Sequence, residues 1–237
     1  EISECLVGSE MCIRDRLKEE YEAFINSYEQ EKSLGLRVNT LKTTLDQFET
    51  LNKFDLKSIP WVPEGYFYQQ ADRPGKHPYH EAGVYYIQEP SAMSVGTFVE
   101  AVPGEKVLDL CAAPGGKSTH VASQLQQEGL LITNEIYPQR AKILSQNIER
   151  MGIKNAVVVN ESPQKLAKHF PSYFDRIVVD APCSGEGMFR KDEVAQEEWS
   201  LENVRICADR QADILEEAAT MLKPCLLYTS PSPRDTR

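Results

Sequence analysis

The sequence predicts an α/β fold in which a parallel sheet carries helices on both faces, together with a small N-terminal α/β module. From residue 103 onward, short apolar segments alternate with segments of helical periodicity, which indicates a parallel sheet. Each predicted strand ends in a polar or glycine-bearing turn. The 237 residues, 41% of them hydrophobic, are enough for one full domain and a smaller one.

The strands and helices of the parallel part follow one another closely. "EKVLDL" predicts the first strand, Ser118 to Gln127 the first helix, and "GLLITNE" the second strand. "PQRAKILSQNIERMG" predicts a helix that begins at Pro138 and ends at Gly152. "NAVVVN" predicts the third strand, "SPQKLAKHF" a helix capped by Ser162, and "FDRIVVD" the fourth strand. The segments that follow these strands, "CAAPGGKS", "NE", "NES" and "DAPCSG", are therefore predicted to converge at one sheet edge.

The first part of the chain predicts the smaller module. Apolar residues recur at helical spacing over residues 17–28, and Gly35 is the expected stop. "LGLRVNTLK" alternates like a short strand, and "TTLDQFETL" opens with a hydroxyl and an acid at capping-box spacing. Residues 60–83 are rich in Pro, Gly and aromatic residues and predict a structured connection. We assign residues 17–88 to this module and residues 89–224 to the main domain.

Composition and charge exclude several classes of protein. No apolar run is long enough to cross a bilayer and no secretory leader is recognisable, so we expect a cytoplasmic protein without a membrane partner. The formal net charge of -10 argues against a protein that coats nucleic acid, although it is compatible with a local basic face. The cysteines and histidines show neither CxxC nor zinc-site spacing, so no disulfide framework and no metal are expected.

Both ends of the sequence resemble translated sequencing adapters. The segments are "EISECLVGSEMCIRDR" at residues 1–16 and "CLLYTSPSPRDTR" at residues 225–237, for which ordinary frayed termini are the alternative. On the adapter interpretation, Cys5, Cys12 and Cys225 have no functional meaning.

The turn "LDLCAAPGGKSTH" is the first candidate for ligand binding. It ends in Gly116, Lys117 and Ser118, but a P-loop needs a glycine where this sequence has Cys111, so a nucleoside triphosphate site is excluded. The absence of G-x-G-x-x-G likewise disfavours a dehydrogenase. A glycine-bearing loop lets a ligand approach the backbone, and the helix that follows offers amide donors to a carboxylate.

Glu135 ends the second predicted strand, where an acid can accept hydrogen bonds from both hydroxyls of a ribose. Each feature alone is also typical of an ordinary turn or a solvated acid. Together they favour a nucleoside with an anionic tail over a pyrophosphate.

Cys183 follows the fourth strand in "VVDAPCSGEGMF", where it could be packed, bind a metal or take part in chemistry. Joined with "CAAPGGKST" and "NEIYPQRAKILSQNIERMG", this segment resembles the bacterial ribosomal RNA cytosine-C5 methyltransferases, the Sun/Nop2 relatives that use S-adenosyl-L-methionine. The resemblance includes "LGLRVNT" and "GVYYIQEPSAM", runs over residues 17–224, and is strongest to the F type that acts on 16S ribosomal RNA. It implies a Rossmann-like S-adenosylmethionine-dependent methyltransferase fold, a 16S rRNA partner and a monomer.

The resemblance also implies roles for matching residues. The implied cofactor-binding residues are Cys111, Ala112, Ala113, Pro114, Gly115, Gly116 and Lys117 around the methionine portion, Glu135 at the ribose, Glu161 near the adenine, and Asp180 near the reactive end. In this family a cysteine thiolate adds to carbon 6 of a cytosine turned out of its stack, which enables carbon 5 to attack the sulfonium methyl. The implied catalytic residues are Cys183, which assists product release, and Asp180, which hydrogen-bonds the base.

The nucleophile of the family lies in a later "TC" motif that this sequence does not contain. After "ATMLKP" the family continues with a further strand and that motif, whereas this sequence has "CLLYTSPSPRDTR". We therefore expect this chain to be an incomplete, inactive methyltransferase. Two alternatives stay open, namely the same chemistry on transfer RNA and a non-catalytic module that binds the cofactor or RNA. Candidates for RNA contact are Arg73, Lys76, His77, His80, Arg190 and Lys191, although such charges are usually only solvated.

Overall fold

The computed structural model describes residues 13–27, 30, 32–185 and 199–224. By contacts between residues the chain divides into two compact units. The first comprises Glu1–Ser33 and Ala181–Ile214, and the second comprises Leu34–Asp180 and Leu215–Arg237. In the part of the chain that the structure describes, no helix has the length and apolar character needed to span a membrane.

The bounds of the main elements are as follows. The strands are β1 (Gly35–Val38), β2 (Lys57–Ser58), β3 (Gly65–Phe67), β4 (Tyr85–Ile87), β5 (Lys106–Asp109), β6 (Leu130–Asn134), β7 (Ala156–Val159) and β8 (Arg176–Val178). The α-helices are α1 (Tyr21–Ser27), α2 (Leu45–Leu51), α3 (Pro78–Glu81), α4 (Pro90–Val99), α5 (Gly116–Leu125), α6 (Pro138–Met151), α7 (Pro163–His169) and α8 (Leu201–Met221).

The second unit contains the predicted parallel sheet, in the strand order β7-β6-β5-β8. In the register of this sheet, Leu108 of the central strand β5 lies opposite Ile132 on one side and Ile177 on the other. Helices α5, α6 and α7 follow successive strands, so the predicted alternation is confirmed. Gly152 ends α6 with φ +73°, a left-handed conformation that glycine adopts without steric cost, and Ser162 caps α7.

The apolar face predicted for α6 is also confirmed, because its four members are buried. They are Ala141, Leu144, Ile148 and Met151. They pack in one core cluster with Val107 and Leu131 of the sheet and with Val121 and Leu125 of α5. The central strands and the two helices are therefore held by a shared apolar layer.

The same unit contains a second sheet that is antiparallel, in the order β2-β3-β1-β4. The strand predicted in "LGLRVNTLK" is confirmed as β1, but all four of its residues are buried, the polar Arg37 included. The strand is central, paired with both β3 and β4, and packed on both faces. The segment 60–83, predicted as a connection, contributes β3, whose three residues are too few to show a periodicity.

Two local predictions in the N-terminal part are corrected by the structure. Gly35 does not end a helix but opens β1, where a Cβ would lie 2.7 Å from the carbonyl oxygen of Gln88. Close approach of the backbone, rather than helix termination, explains the glycine. The capping box of α2 is formed by Thr44 and Gln47, an amide taking the place of the expected acid.

Asn39 fixes the antiparallel sheet to the end of α6. Its Nδ2 donates to the carbonyl oxygens of Gly83 (2.8 Å) and Met151 (2.9 Å), and its Oδ1 accepts from the N–H of Leu41 (3.1 Å). Asn39 is fully buried, so water cannot replace these bonds. Lys42 adds two further bonds nearby, from its Nζ to the carbonyl oxygens of Ala82 and Arg150.

We expect Asn39→Ala to lower the free energy of unfolding by about 1 to 3 kcal/mol, because it leaves buried carbonyls and an amide unpaired. Urea denaturation followed by far-UV circular dichroism measures the change. Asn26→Ala is the matched control, since Asn26 is exposed on α1 and its loss should change stability by about 0.5 kcal/mol or less. Equal effects of the two substitutions would contradict the assignment.

Candidate functional site

The carboxyl ends of the strands β5, β6 and β7 are joined by hydrogen bonds that centre on Asn134. Its Nδ2 donates to the carbonyl oxygen of Leu110 (3.0 Å), and its Oδ1 accepts from the N–H of Glu161 (3.0 Å). Its carbonyl oxygen accepts from the N–H of Ala112 (2.8 Å). The predicted convergence of "CAAPGGKS", "NE" and "NES" is therefore confirmed, and a buried amide side chain holds the three turns together.

The loop of residues 111–117 is held by donors on α6. Arg140 Nη2 donates to the carbonyl oxygen of Ala113 (2.9 Å), and Asn147 Nδ2 donates to that of Pro114 (2.8 Å). The peptide bond between Ala113 and Pro114 is cis. Between these two donors on the helix, Leu144 Cδ1 lies 3.1 Å from the position that a Cβ on Gly115 would occupy. One face of α6 therefore serves as the support for the loop.

The N–H groups of the two loop glycines, Gly115 and Gly116, stand at the start of α5 without an acceptor in the described part of the chain. Gly115 has φ +114°, which disfavours any residue with a side chain. Free amides at a helix N-terminus favour an anionic ligand group, as the sequence predicted for this loop.

Lys117 connects the loop to the end of β8. Its Nζ lies 2.6 Å from Oδ2 of Asp180, and the two side chains are 19% and 59% exposed, respectively. An ion pair this open to water contributes little to stability. The ion pair instead affects geometry, because it holds the accessible carboxylate of Asp180 beside the loop.

Glu135 is almost fully buried, with a side-chain exposure of 4%. Its Oε1 accepts from the N–H of Tyr137 (3.0 Å), and its Oε2 lies 3.4 Å from Arg140 Nη1. Arg140 therefore contacts both the loop and the acid that was predicted to bind a ribose. The side chain of Glu161, by contrast, is 44% exposed and pairs with Lys165 at 2.8 Å, and this hydrogen bond lowers the pKa of Glu161.

Cys111 is protonated at neutral pH. Burial, together with the carboxylates of Asp109, Glu135 and Asp180, raises the pKa of its thiol to about 12. A thiol in this state is a poor nucleophile, so the backbone of Cys111 rather than its sulfur is suited to ligand contact. Three acids, Asp109, Glu135 and Asp180, are therefore close enough to the loop to act on this thiol.

Asp109, at the end of β5, is fully buried behind the loop. Burial raises the pKa of its carboxyl to about 6, against the lowering effects of the 2.7 Å hydrogen bond from Ser118 Oγ and of the nearby Lys117 charge. Its Oδ1 has no hydrogen-bond partner among the described residues. Sequence reasoning gave this acid no role, since it reads as an ordinary strand residue.

Cys183 belongs to the first compact unit, where it is exposed and free. Gln211 on α8 donates to the carbonyl oxygen of the preceding Pro182 (3.0 Å). The rest of the motif after Gly185, with Arg190 and Lys191, lies outside the described residues, as do residues 1–12 and 225–237 of the adapter-like ends.

The remaining candidates for RNA contact divide into two kinds. Arg73 and Lys76 are exposed. His77 has a structural role, since its Nδ1 accepts from the N–H of Tyr79 (3.2 Å) and caps α3. The carbonyl oxygen of His80 accepts a hydrogen bond from Arg150 Nη1 (2.6 Å).

The structure is thus a Rossmann-like α/β protein, with a glycine-bearing loop after the first strand of its parallel sheet and a buried acid after the second. The family model described as 16S rRNA methyltransferase RsmB/F matches residues 97–235. The model of the N-terminal domain of 16S rRNA methyltransferase RsmF matches residues 11–90. The chain belongs to the RsmB/F family of 16S rRNA methyltransferases, which confirms the resemblance seen in the sequence.

Individual relatives agree with this assignment. Ribosomal RNA small subunit methyltransferase F of Vibrio vulnificus (strain YJ016) is 40% identical over 210 residues, 85% of this chain and 44% of the relative. The protein of the same name from Pectobacterium atrosepticum is 38% identical over 213 residues, covering 86% and 44%. The chain thus spans less than half the length of these curated relatives.

Solved structures share the fold. A methyltransferase homolog protein from Pyrococcus horikoshii is 28% identical with a TM-score of 0.76, covering 87% of this chain and 66% of that one. The structure of NSun6 from the same organism with SFG also has a TM-score of 0.76, at 18% identity and with 90% and 79% coverage. This second likeness shows the fold alone.

We expect the stability of this protein relative to Asp109→Asn to decrease as the pH rises from 4 to 7. The pKa of Asp109 is about 6 in the folded protein against an ordinary 3.8, so between these values the folded state binds more protons than the unfolded state. The difference in unfolding free energy between wild type and variant should fall by about 1 to 3 kcal/mol across this window. Urea denaturation at each pH measures it, and a difference that is constant or rises with pH would contradict the prediction.

Proposed function

We propose that the protein is an S-adenosyl-L-methionine-dependent methyltransferase that forms 5-methylcytosine in 16S ribosomal RNA. The observation that carries this proposal is the juxtaposition of the 111–117 loop, the buried Glu135 and the accessible Asp180 in one compact unit of a chain of this family. The proposal includes a monomeric protein in the cytoplasm, the compartment in which bacterial ribosomes are assembled.

The residues present fit the cofactor in charge and in hydrogen-bonding groups. The free amides of Gly115 and Gly116 suit the carboxylate of its methionine portion. The carboxylate of Glu135 suits the two ribose hydroxyls, and Glu161 is proposed to lie near the adenine. The three acids around Cys111 favour a ligand with a positive sulfonium centre. When bound, the cofactor supplies an electrophilic methyl group.

Asp180 is the residue of this unit that is suited to contact the target base. Its carboxylate is more than half exposed, and the ion pair with Lys117 fixes its position beside the loop. A carboxylate in this place can accept a hydrogen bond from the exocyclic amine of cytosine and favour protonation at N3. Cys183, an exposed thiol, is proposed to assist release of the methylated product.

Methyl transfer tests the proposal directly. Tritiated S-adenosylmethionine is incubated with unmodified 16S rRNA, small subunits or tRNA, and with either this chain or the full-length product of its gene. The proposal expects the full-length product to label 5-methylcytosine in 16S rRNA. Label in tRNA alone would overturn the substrate, and cofactor binding without transfer by the full-length product would leave only a binding module.

We expect Glu135→Gln to weaken S-adenosylmethionine binding by about tenfold or more, because the neutral amide loses charge-assisted hydrogen bonds to the ribose. Isothermal titration calorimetry on the purified chain measures the dissociation constant. Glu149→Gln makes the same chemical change at an exposed position of α6 and should bind like wild type. A Glu135→Gln variant with unchanged affinity would show that this acid does not contact the ribose.

A further inference from the structure

Arg37, on the central strand β1 of the antiparallel sheet, is completely buried. Its Nη2 reaches out of this sheet to the start of α5, where it donates to the carbonyl oxygen of Gly116 (3.1 Å) and to Oγ1 of Thr119 (2.8 Å). The antiparallel sheet therefore makes a direct hydrogen bond to the loop that is proposed to hold the methionine portion of the cofactor.

The guanidinium keeps its charge in this place. Burial lowers the pKa of Arg37 to about 10, and the nearby carboxylate of Glu64 acts in the opposite direction. Glu64 is itself held by His120 Nε2 at 2.7 Å on the next turn of α5. At neutral pH the Gly116 carbonyl thus faces a charged donor, which makes a stronger hydrogen bond than a neutral one.

Stability alone does not account for an arginine at this position. Within residues 32–185, neither Nε nor Nη1 of Arg37 has a hydrogen-bond partner. An incompletely paired buried charge costs free energy, and an apolar side chain of similar volume commonly serves a core equally well or better. The fold therefore retains a costly group whose best-formed bonds are those of Nη2 to the first turn of α5.

The sheet also restricts Gly116 sterically. A Cβ on this residue would lie 3.0 Å from Nε2 of Gln88 and 3.4 Å from Cε1 of Tyr86, the residue opposite Arg37 in the sheet register. Gly116 is thus packed against the antiparallel sheet on its Cβ side, while its carbonyl is bonded to that same sheet. The N–H of Gly116, which belongs to the preceding peptide unit, remains without an acceptor in the described part of the chain.

We infer that Arg37 is a positioning residue for the cofactor, which fixes the backbone of Gly116 at the first turn of α5 so that the amides at the start of this helix meet the carboxylate of the methionine portion. The inference rests on the proposed function. It makes the antiparallel sheet a functional part of the cofactor site rather than a neighbouring module. Arg37 does not itself contact the ligand.

The test compares two ligands by calorimetry on the intact chain. S-adenosylmethionine carries the amino-acid group, whereas 5′-methylthioadenosine has the nucleoside and the sulfur without it. We expect Arg37→Met to weaken S-adenosylmethionine binding by about tenfold or more and to leave 5′-methylthioadenosine binding within about twofold of wild type. Arg37→Lys, which retains a charged donor, should recover part of the lost affinity.

The control is Glu64→Gln, which perturbs the same buried cluster without touching the loop. It should lower the melting temperature yet leave the ratio of the two affinities unchanged. Arg37→Met would overturn the inference if it weakened the binding of both ligands equally or of neither. If Arg37→Met does not fold, Arg37→Lys takes its place. The inference is then overturned if Arg37→Lys binds S-adenosylmethionine as tightly as wild type and has the wild-type ratio of the two affinities. Failure of the wild-type chain to bind either ligand would instead overturn the proposed function, and this inference with it.

Discussion

The site depends on how the backbone of residues 111–117 satisfies its hydrogen bonds. The carbonyls of Ala113, Pro114 and Gly116 accept hydrogen bonds from side chains outside the loop. Arg140, Asn147 and Arg37 supply these donors, from α6 on one side and from β1 on the other. The N–H groups of Gly115 and Gly116, by contrast, have no acceptor among the described residues.

The charged residues of the site that the structure describes are three acids and two cations. The negative charges of Asp109, Glu135 and Asp180 raise the pKa of the Cys111 thiol, and the same charges favour a cation in this region. Lys117 and Arg140 pair with Asp180 and Glu135, respectively, which limits the repulsion among the acids. Asp109 alone is buried without a cation in contact, and its raised pKa is the result. The arrangement suits a ligand that is cationic at its centre and anionic at one end.

The antiparallel sheet is tied to this site by polar side chains as well as by packing. Arg37 bonds to the first turn of α5, and Asn39, two residues further along the chain, bonds to the last turn of α6. These two helices carry the loop and its support, so the segment from Arg37 to Asn39 sets their positions relative to one sheet. Substitutions in this segment are expected to act on the site at a distance, through helix placement.

Periodicity and turn chemistry in the sequence determined the parallel sheet, the helix α6 with its Pro138 start and Gly152 end, and the convergence of the loops, because these depend on local patterns. The family followed from joined motifs for the same reason. The three-residue strand β3 and the burial of all of β1 were decided by tertiary structure, since strand pairing distant in sequence leaves no local period. The roles of Arg37, Asn134 and Arg140 also came from tertiary structure alone. Each is a polar residue whose partner lies more than twenty positions away, and only folding brings donor and carbonyl together.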